Sequence, residues 1–222
     1  MEKYTQTGWN DNIETNTVRL VGTVLGGPVF DHKVYGQAYY MIVMGIMRKS
    51  GYEDRIRLIV SEKLLGGRTP KEGTLLEVEG QIRTYNKESA GRNKLEILVF
   101  VRSIKYVKNE SSRCSVDTGE AEHMNEISIQ GFICKTPIRR TSPLGREICD
   151  LMIAVNRPYN KSDYIPAIAW GMNAARCESL QVGDKVMLQG RIQSRNYRKT
   201  IEDGSQVMKT AYEVSVVRIS LV

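Results

Sequence analysis

The chain has 222 residues, 41% apolar and 26% charged, with a formal net charge of +7, a length that suits two domains of about 100 residues each. Its longest apolar run, Tyr39 to Met47, falls well short of the roughly 20 residues of a bilayer span, and no apolar leader opens the sequence, so a cytoplasmic protein without a membrane partner is expected. The cysteines Cys114, Cys134, Cys149 and Cys177 include no Cys-x-x-Cys pair and the histidines are only His32 and His123, so no metal or other cofactor is indicated and free, mostly buried thiols are expected.

Residues 1–15 form a polar N-terminal tail in which Tyr4 and Trp9 have no evident partner. From Asn16 onward the chain repeats itself. Asn16, Gly22, Pro28, Gly36, Arg48, Ile56 and Ile59 recur as Asn125, Gly131, Pro137, Gly145, Arg157, Ile165 and Ile168, at a constant offset of 109 (Gly131 against Gly22). Gly73 and Gly80 then match Gly183 and Gly190 at an offset of 110. A colinear series of this kind marks a tandem duplication. The first copy spans 16–108. Its third strand keeps Ile56, Leu58 and Val60 inward, its fourth presents Glu77 and Glu79 outward, and the connection "EKLLGGRTPKEG" is too rich in Gly and Pro for a good helix. Residues 109–123, "NESSRCSVDTGEAEH", are polar, lack apolar periodicity and read as a flexible linker.

The second copy, 124–222, shows the strand pattern most clearly. "NEISIQGFI" alternates Ile127, Ile129, Gly131 and Ile133 on one face. "RRTSPLGRE" reads as a loop, and "ICDLMIAVN" turns Cys149, Leu151, Ile153 and Val155 inward. "DYIPAIAW" is a third strand, "MNAARCESL" a short helix, and "VGDKVMLQGRIQSRNY" a fourth strand. "RKTIEDGSQVMK" reads as a long polar loop before the last strand. Three strands, a short helix and two strands describe an all-β chain of two tandem five-stranded OB barrels, with the helix between strands 3 and 4 of the C-terminal copy. Mid-strand glycines Gly131 and Gly190 suit the bends of a small barrel.

Strand parity separates interior from exterior. Ile165, Ala167 and Ala169 face inward; Tyr164, Pro166, Ile168 and Trp170 face outward. On the fourth strand Val186, Leu188, Gly190 and Ile192 face inward, opposite Arg191, Gln193, Arg195 and Tyr197. Arg139, Arg140, Arg146, Arg157, Lys161, Arg198 and Lys199 lie on the loops. Rings spaced by basic and amide groups fit single-stranded nucleic acid, where stacking is sequence-tolerant and cations track phosphates. The competing reading is that the rings cover a subunit interface and the loop arginines are solvated. Glu147, Asp150 and Asp163 show no paired spacing of the kind a metal-dependent nuclease needs, so catalysis is not expected.

The segments "NEISIQGFICKTPIRR", "IAVNRPYNKSDYIPAIAWG" and "VGDKVMLQGRIQSRNY" closely resemble the bacterial single-stranded DNA-binding protein family. The resemblance implies a cytoplasmic, non-enzymatic OB protein serving DNA replication, recombination or repair. It places the stacking positions on Tyr159, Tyr164, Trp170 and Tyr197. It implies four OB folds per assembly, hence a homodimer of this two-copy chain. The family's acidic recruitment tail has no counterpart in "EVSVVRISLV", so tail-mediated recruitment of replication and repair partners is not expected, though other such partners are open. In the first copy the stacking positions fall on Ser50, Arg55, Ser61 and Lys87, none aromatic. That copy therefore reads as a diverged domain, structural or oligomerising, with weak binding open to Tyr52, Arg55, Arg57, Arg83, Tyr85 and Lys87. The alternative function is a primosome, replication-restart or plasmid-processing assembly factor, since primosomal replication protein N shares the fold.

Overall fold

The computed structural model describes residues 15–89, 92–107, 123–142, 144–200 and 204–222, excluding the side chains of 87–89, 92–94 and 199. Residues 1–14 of the expected tail, 109–122 of the expected linker with Cys114, and the side chains of Lys87 and Lys199 lie outside the described residues. The first copy forms β1 (Asn16–Val24), β2 (Val29–Val34), β3 (Gln37–Met47), β4 (Glu53–Ser61), α1 (Glu62–Leu65), β5 (Leu75–Ser89) and β6 (Arg92–Tyr106). The second repeats that order as β7 (Met124–Ile133), β8 (Ile138–Thr141), β9 (Glu147–Arg157), β10 (Lys161–Trp170), α2 (Met172–Cys177), β11 (Lys185–Thr200) and β12 (Gln206–Leu221).

Each copy closes into a five-stranded barrel because its strands carry one apolar row and that row has to leave water. In the first, β1 pairs β5, β5 pairs β6, β6 runs parallel to β4, β4 pairs β3, and β3 returns to β1. The second closes identically through β7, β11, β12, β10 and β9, with β10 parallel to β12. Closure brings backbones very close at Gly22 and Gly131. A Cβ at Gly131 would stand 2.5 Å from the Ala154 carbonyl oxygen, and one at Gly22 the same distance from that of Gly45. The bend expected at Gly190 is a bulge in the β11–β12 ladder, matched by Gly80 between β5 and β6. The predicted inward rows are buried: Ile56, Leu58 and Val60 in one copy, and Ile165, Ala167, Ala169, Val186, Leu188 and Ile192 in the other. Cys149 and Cys177 join the second core as free thiols, and Cys134 is free and half-buried. Burial pushes the Cys177 thiol up to about 12.

Three local expectations are corrected. "RKTIEDGSQVMK" is not a long loop, since β11 runs to Thr200 and β12 starts at Gln206 with these two residues paired. Continued cross-strand pairing extends the hairpin despite its polar composition. "RRTSPLGRE" contains β8, which pairs the start of β9 as an added edge strand, and β2 does the same on β3. The first copy does carry a helix, the single turn α1. Ser61 Oγ accepts from the Leu64 N–H (3.2 Å), and Gly66 ends the turn in the left-handed region at φ 58, so caps at both ends offset a poor composition.

The two barrels are joined by strand pairing. β1 and β7 run antiparallel, Asn16 opposite Ile129 and Val21 opposite Met124, giving one sheet of twelve strands. The junction is close to two-fold in its chemistry. Asp54 on β4 accepts from the Ser194 N–H of β11, and Asp163 on β10 accepts from the Thr84 N–H of β5, both at 2.7 Å. Arg48 pairs with Asp54 at 2.5 Å; Arg157 and Arg83 approach Asp163 at 3.3 and 3.2 Å. Both aspartates are completely buried, a state a carboxylate tolerates only with such partners. His123, at the end of the expected linker, accepts from the Met47 N–H at 2.7 Å.

Candidate nucleic-acid interface

β10 carries two of the four expected stacking residues. Ile165, Ala167 and Ala169 occupy the barrel side, so alternation turns Tyr164 and Trp170 to the other face. Tyr164 is half exposed, and its N–H donates to Thr84 Oγ1 of the first barrel (2.9 Å). Trp170 is half-buried opposite Ile148 of β9. Tyr159 sits at the tip of the β9–β10 turn, fully open to solvent, where it and Asn160 adopt left-handed φ values of 63 and 54. Tyr197 is half-buried on β11 with the Arg195 guanidinium 5.9 Å from its ring centre. The outward parity is not open throughout: Ile168 on β10 and Gln193 on β11 are both buried.

Trp170 lines a cleft of about 560 Å³ with Arg48, Arg146, Glu147, Arg191, Gln193 and Ser215, Glu147 being paired with Arg139. Arg191 Nε is buried there without a hydrogen-bond partner. Arg48 comes from the first barrel, so the join adds a cation to a cleft otherwise built from the second barrel. Sequence reasoning did not propose Arg48 as a site residue; the signal was its recurrence with Asp54 as Arg157 with Asp163, a charged pair kept where the aromatics differ.

The expected cations divide into two groups. Arg146, Lys161, Arg191 and Arg198 have no ion-pair partner among the described residues. The others are engaged. Arg139 pairs with Glu147 (2.7 Å) and Glu178 (2.6 Å), and Arg140 with Asp150 (2.5 Å); in both cases the carboxylate hydrogen bond raises the guanidinium pKa, so the arginine stays charged. Arg195 lies 3.9 Å from Glu213. Arg157, partly buried, is engaged at the inter-barrel junction, and Gln193 is buried, donating to Glu213 at 2.8 Å. Glu147, Asp150 and Asp163 are thus all held by arginines.

The first-copy candidates are mostly committed to structure. Arg57 pairs with Glu96, donates to the Ile97 carbonyl (3.0 Å) and lies over the Tyr212 ring of the second barrel at 4.8 Å. Arg83 bonds Asp163 and Gln81; burial lowers its pKa, partly countered by Asp163. Arg55 pairs with Glu53 (3.2 Å). Tyr52 lies beneath the Arg48 guanidinium at 4.7 Å, and Tyr85 is partly exposed. Glu77 is neutralised by Arg19 and Lys105, and Glu79 by Arg19.

A closed five-stranded barrel with rings and uncommitted cations along one open face defines an OB module of the oligonucleotide-accepting class. Residues 124–222 match the single-strand binding protein family. A single-stranded DNA-binding protein of Thermus aquaticus is 23% identical over 217 residues, covering 89% of this chain and 81% of that protein. One from Deinococcus radiodurans is 32% identical over 100 residues, which span 41% of this chain and 33% of its own length. The crystal structure of the wild-type single-stranded DNA-binding protein from Thermus aquaticus shares the fold over 93% of this chain and 92% of its own, with a TM-score of 0.69 at 21% identity. The second copy, just under half of the chain, thus matches the single-strand binding family, and the chain as a whole shares the fold of the Thermus aquaticus protein, with two OB barrels. Among the described residues no helix is long and apolar enough to cross a membrane.

Proposed function

We propose that this protein binds single-stranded DNA at equilibrium, without covalent chemistry, in replication, recombination or repair. Bases stack on Tyr159, Tyr164, Trp170 and Tyr197, and Arg146, Lys161, Arg191 and Arg198 neutralise phosphates. The observation that carries this reading is the Trp170 cleft: a half-buried indole surrounded by three arginines, one with a buried Nε lacking a partner. A base on the indole places its phosphate where that N–H can donate, a charge-assisted bond stronger than a neutral one. Arg139, Arg140 and Arg195 contribute by exchanging a carboxylate for a phosphate. The working assembly is a homodimer presenting four OB folds, acting in the bacterial cytoplasm on nucleoid DNA.

In a Trp9→Phe background the tryptophan emission reports Trp170 alone. Poly-dT is expected to quench it. Trp170→Ala with Tyr164→Ala is expected to weaken binding by roughly tenfold or more, from stacking worth about 1–3 kcal/mol per base. Unchanged affinity in that double variant would remove the stacking assignment. Light scattering with dT oligomers of graded length tests the dimer.

A further inference from the structure

The first barrel has no aromatic at the four positions that carry them in the second. The ladder registers show where its rings went. Across the outward face of the second barrel, β8, β9, β10 and β12 present Arg140, Ile148, Trp170 and Ser215: Arg140 pairs with Ile148, Ile148 with Trp170, and Ser215 stands beside Ile168. Across the same face of the first barrel, β2, β3, β4 and β6 present His32, Tyr39, Ser61 and Phe100, by the equivalent pairings. The large ring on the central strand has become serine, and the residues on both flanking strands have become aromatic.

These three rings form a surface. His32 stacks on Tyr39 with centroids 4.9 Å apart and planes 10° from parallel. Tyr39 meets Phe100 at 5.8 Å, and because β4 lies between their strands, the two rings meet over it, where Ser61 is small enough to leave room. Ile59 beneath is buried, as is its counterpart Ile168. Asp31 Oδ2 holds His32 Nδ1 at 2.5 Å, fixing the imidazole against Tyr39. His32 keeps nearly half of its side chain exposed. Part of this arrangement stabilises the β2–β3 hairpin, since His32 and Tyr39 are cross-strand partners. Hairpin stability does not require Phe100, whose strand β6 is separated from β2 by β3 and β4.

We infer that His32, Tyr39 and Phe100 form a second base-stacking platform, so that the first barrel also engages single-stranded DNA, at ladder positions displaced by one strand from those of the second. This rests on the proposed function of the second barrel. The occupant follows from continuity: the platform covers the face and the strand order that carry Trp170 in the other copy, and the twelve strands form one sheet. Flat rings accept any base.

The test uses the full chain. Labelled dT oligomers of graded length are titrated into the wild type, into Tyr39→Leu with Phe100→Leu (which keeps apolar volume and removes the π-faces), and into Trp170→Ala. Expected is a loss of roughly tenfold in affinity for long oligomers in the Leu double variant, with a shorter occluded length and little change for the shortest strands. Independently of variant folding, photocrosslinking of wild type to 5-iodouracil-substituted strands is expected to give adducts on peptides containing Tyr39 or Phe100. Unchanged affinity and occluded length in the Leu variant, with adducts confined to 157–200, overturns the second platform while Trp170→Ala upholds the proposed function. A Leu variant that changes only the scattering mass overturns it in favour of a contact between copies. A wild type that binds no dT oligomer overturns both readings.

Discussion

At the scale of single residues, the two buried aspartates matter most to the assembly. Asp163 is fully buried, accepts a backbone N–H and lies against two partly buried arginines from opposite barrels. Asp163→Ala leaves the buried Thr84 N–H and two partly buried guanidiniums without their acceptor, expected to cost about 1–3 kcal/mol. Chemical denaturation checks this, and a loss under 1 kcal/mol would mean that the junction relaxes around the gap. Tyr159 sits at the other extreme: its left-handed backbone serves a turn and its ring is wholly exposed. Its placement was legible in the sequence because it lies between Arg157 and Lys161, both read as loop residues. The burial of Gln193 was not, because parity assigns a face without saying what lies across it.

At the scale of elements, closure depends on β7 meeting β9 beside a residue without a side chain. Gly131→Ala pushes a methyl onto the Ala154 carbonyl, where the backbone cannot give. Overpacking at such a point is expected to destabilise by about 1–3 kcal/mol, measured by thermal or urea unfolding; a neutral outcome would show that the barrel opens there at little cost. The strands of the core were readable in order and face because apolar alternation has period two. The β11–β12 hairpin was not. Its tip is polar, and its pairing through Thr200 and Gln206 comes from the partner strand rather than from propensity. The same reason hid β8: four exposed residues become a strand only because β9 offers an edge.

At the scale of the whole molecule, the duplication is a covalent pseudo-dimer. β1 and β7 pair as the same strand from two copies, and Asp54 and Asp163 reach reciprocally across. This explains why Arg48 reaches the Trp170 cleft of the second barrel. It also fixes an expectation for salt. With Arg146, Lys161, Arg191 and Arg198 as the principal phosphate contacts, the slope of log K against log salt for a single strand is about −3, from about −0.7 per neutralised phosphate. Titration between low and moderate salt measures it. A slope near zero would exclude phosphate contacts from these residues, and one much steeper would show that Arg139, Arg140 and Arg195 leave their carboxylates.

By itself the sequence determined the duplication, the all-β barrel plan and the rings of the second copy, because each is written in local period or in fixed offsets along the chain. Only the tertiary structure decided which charges are spent inside the molecule and which are left over. Arg157 and Arg146 look alike in the sequence; one is held at a buried aspartate and the other lines the Trp170 cleft. The aromatic strip of the first barrel was hidden for the same physical reason. His32, Tyr39 and Phe100 are far apart along the chain, and only ladder register brings their rings onto one face.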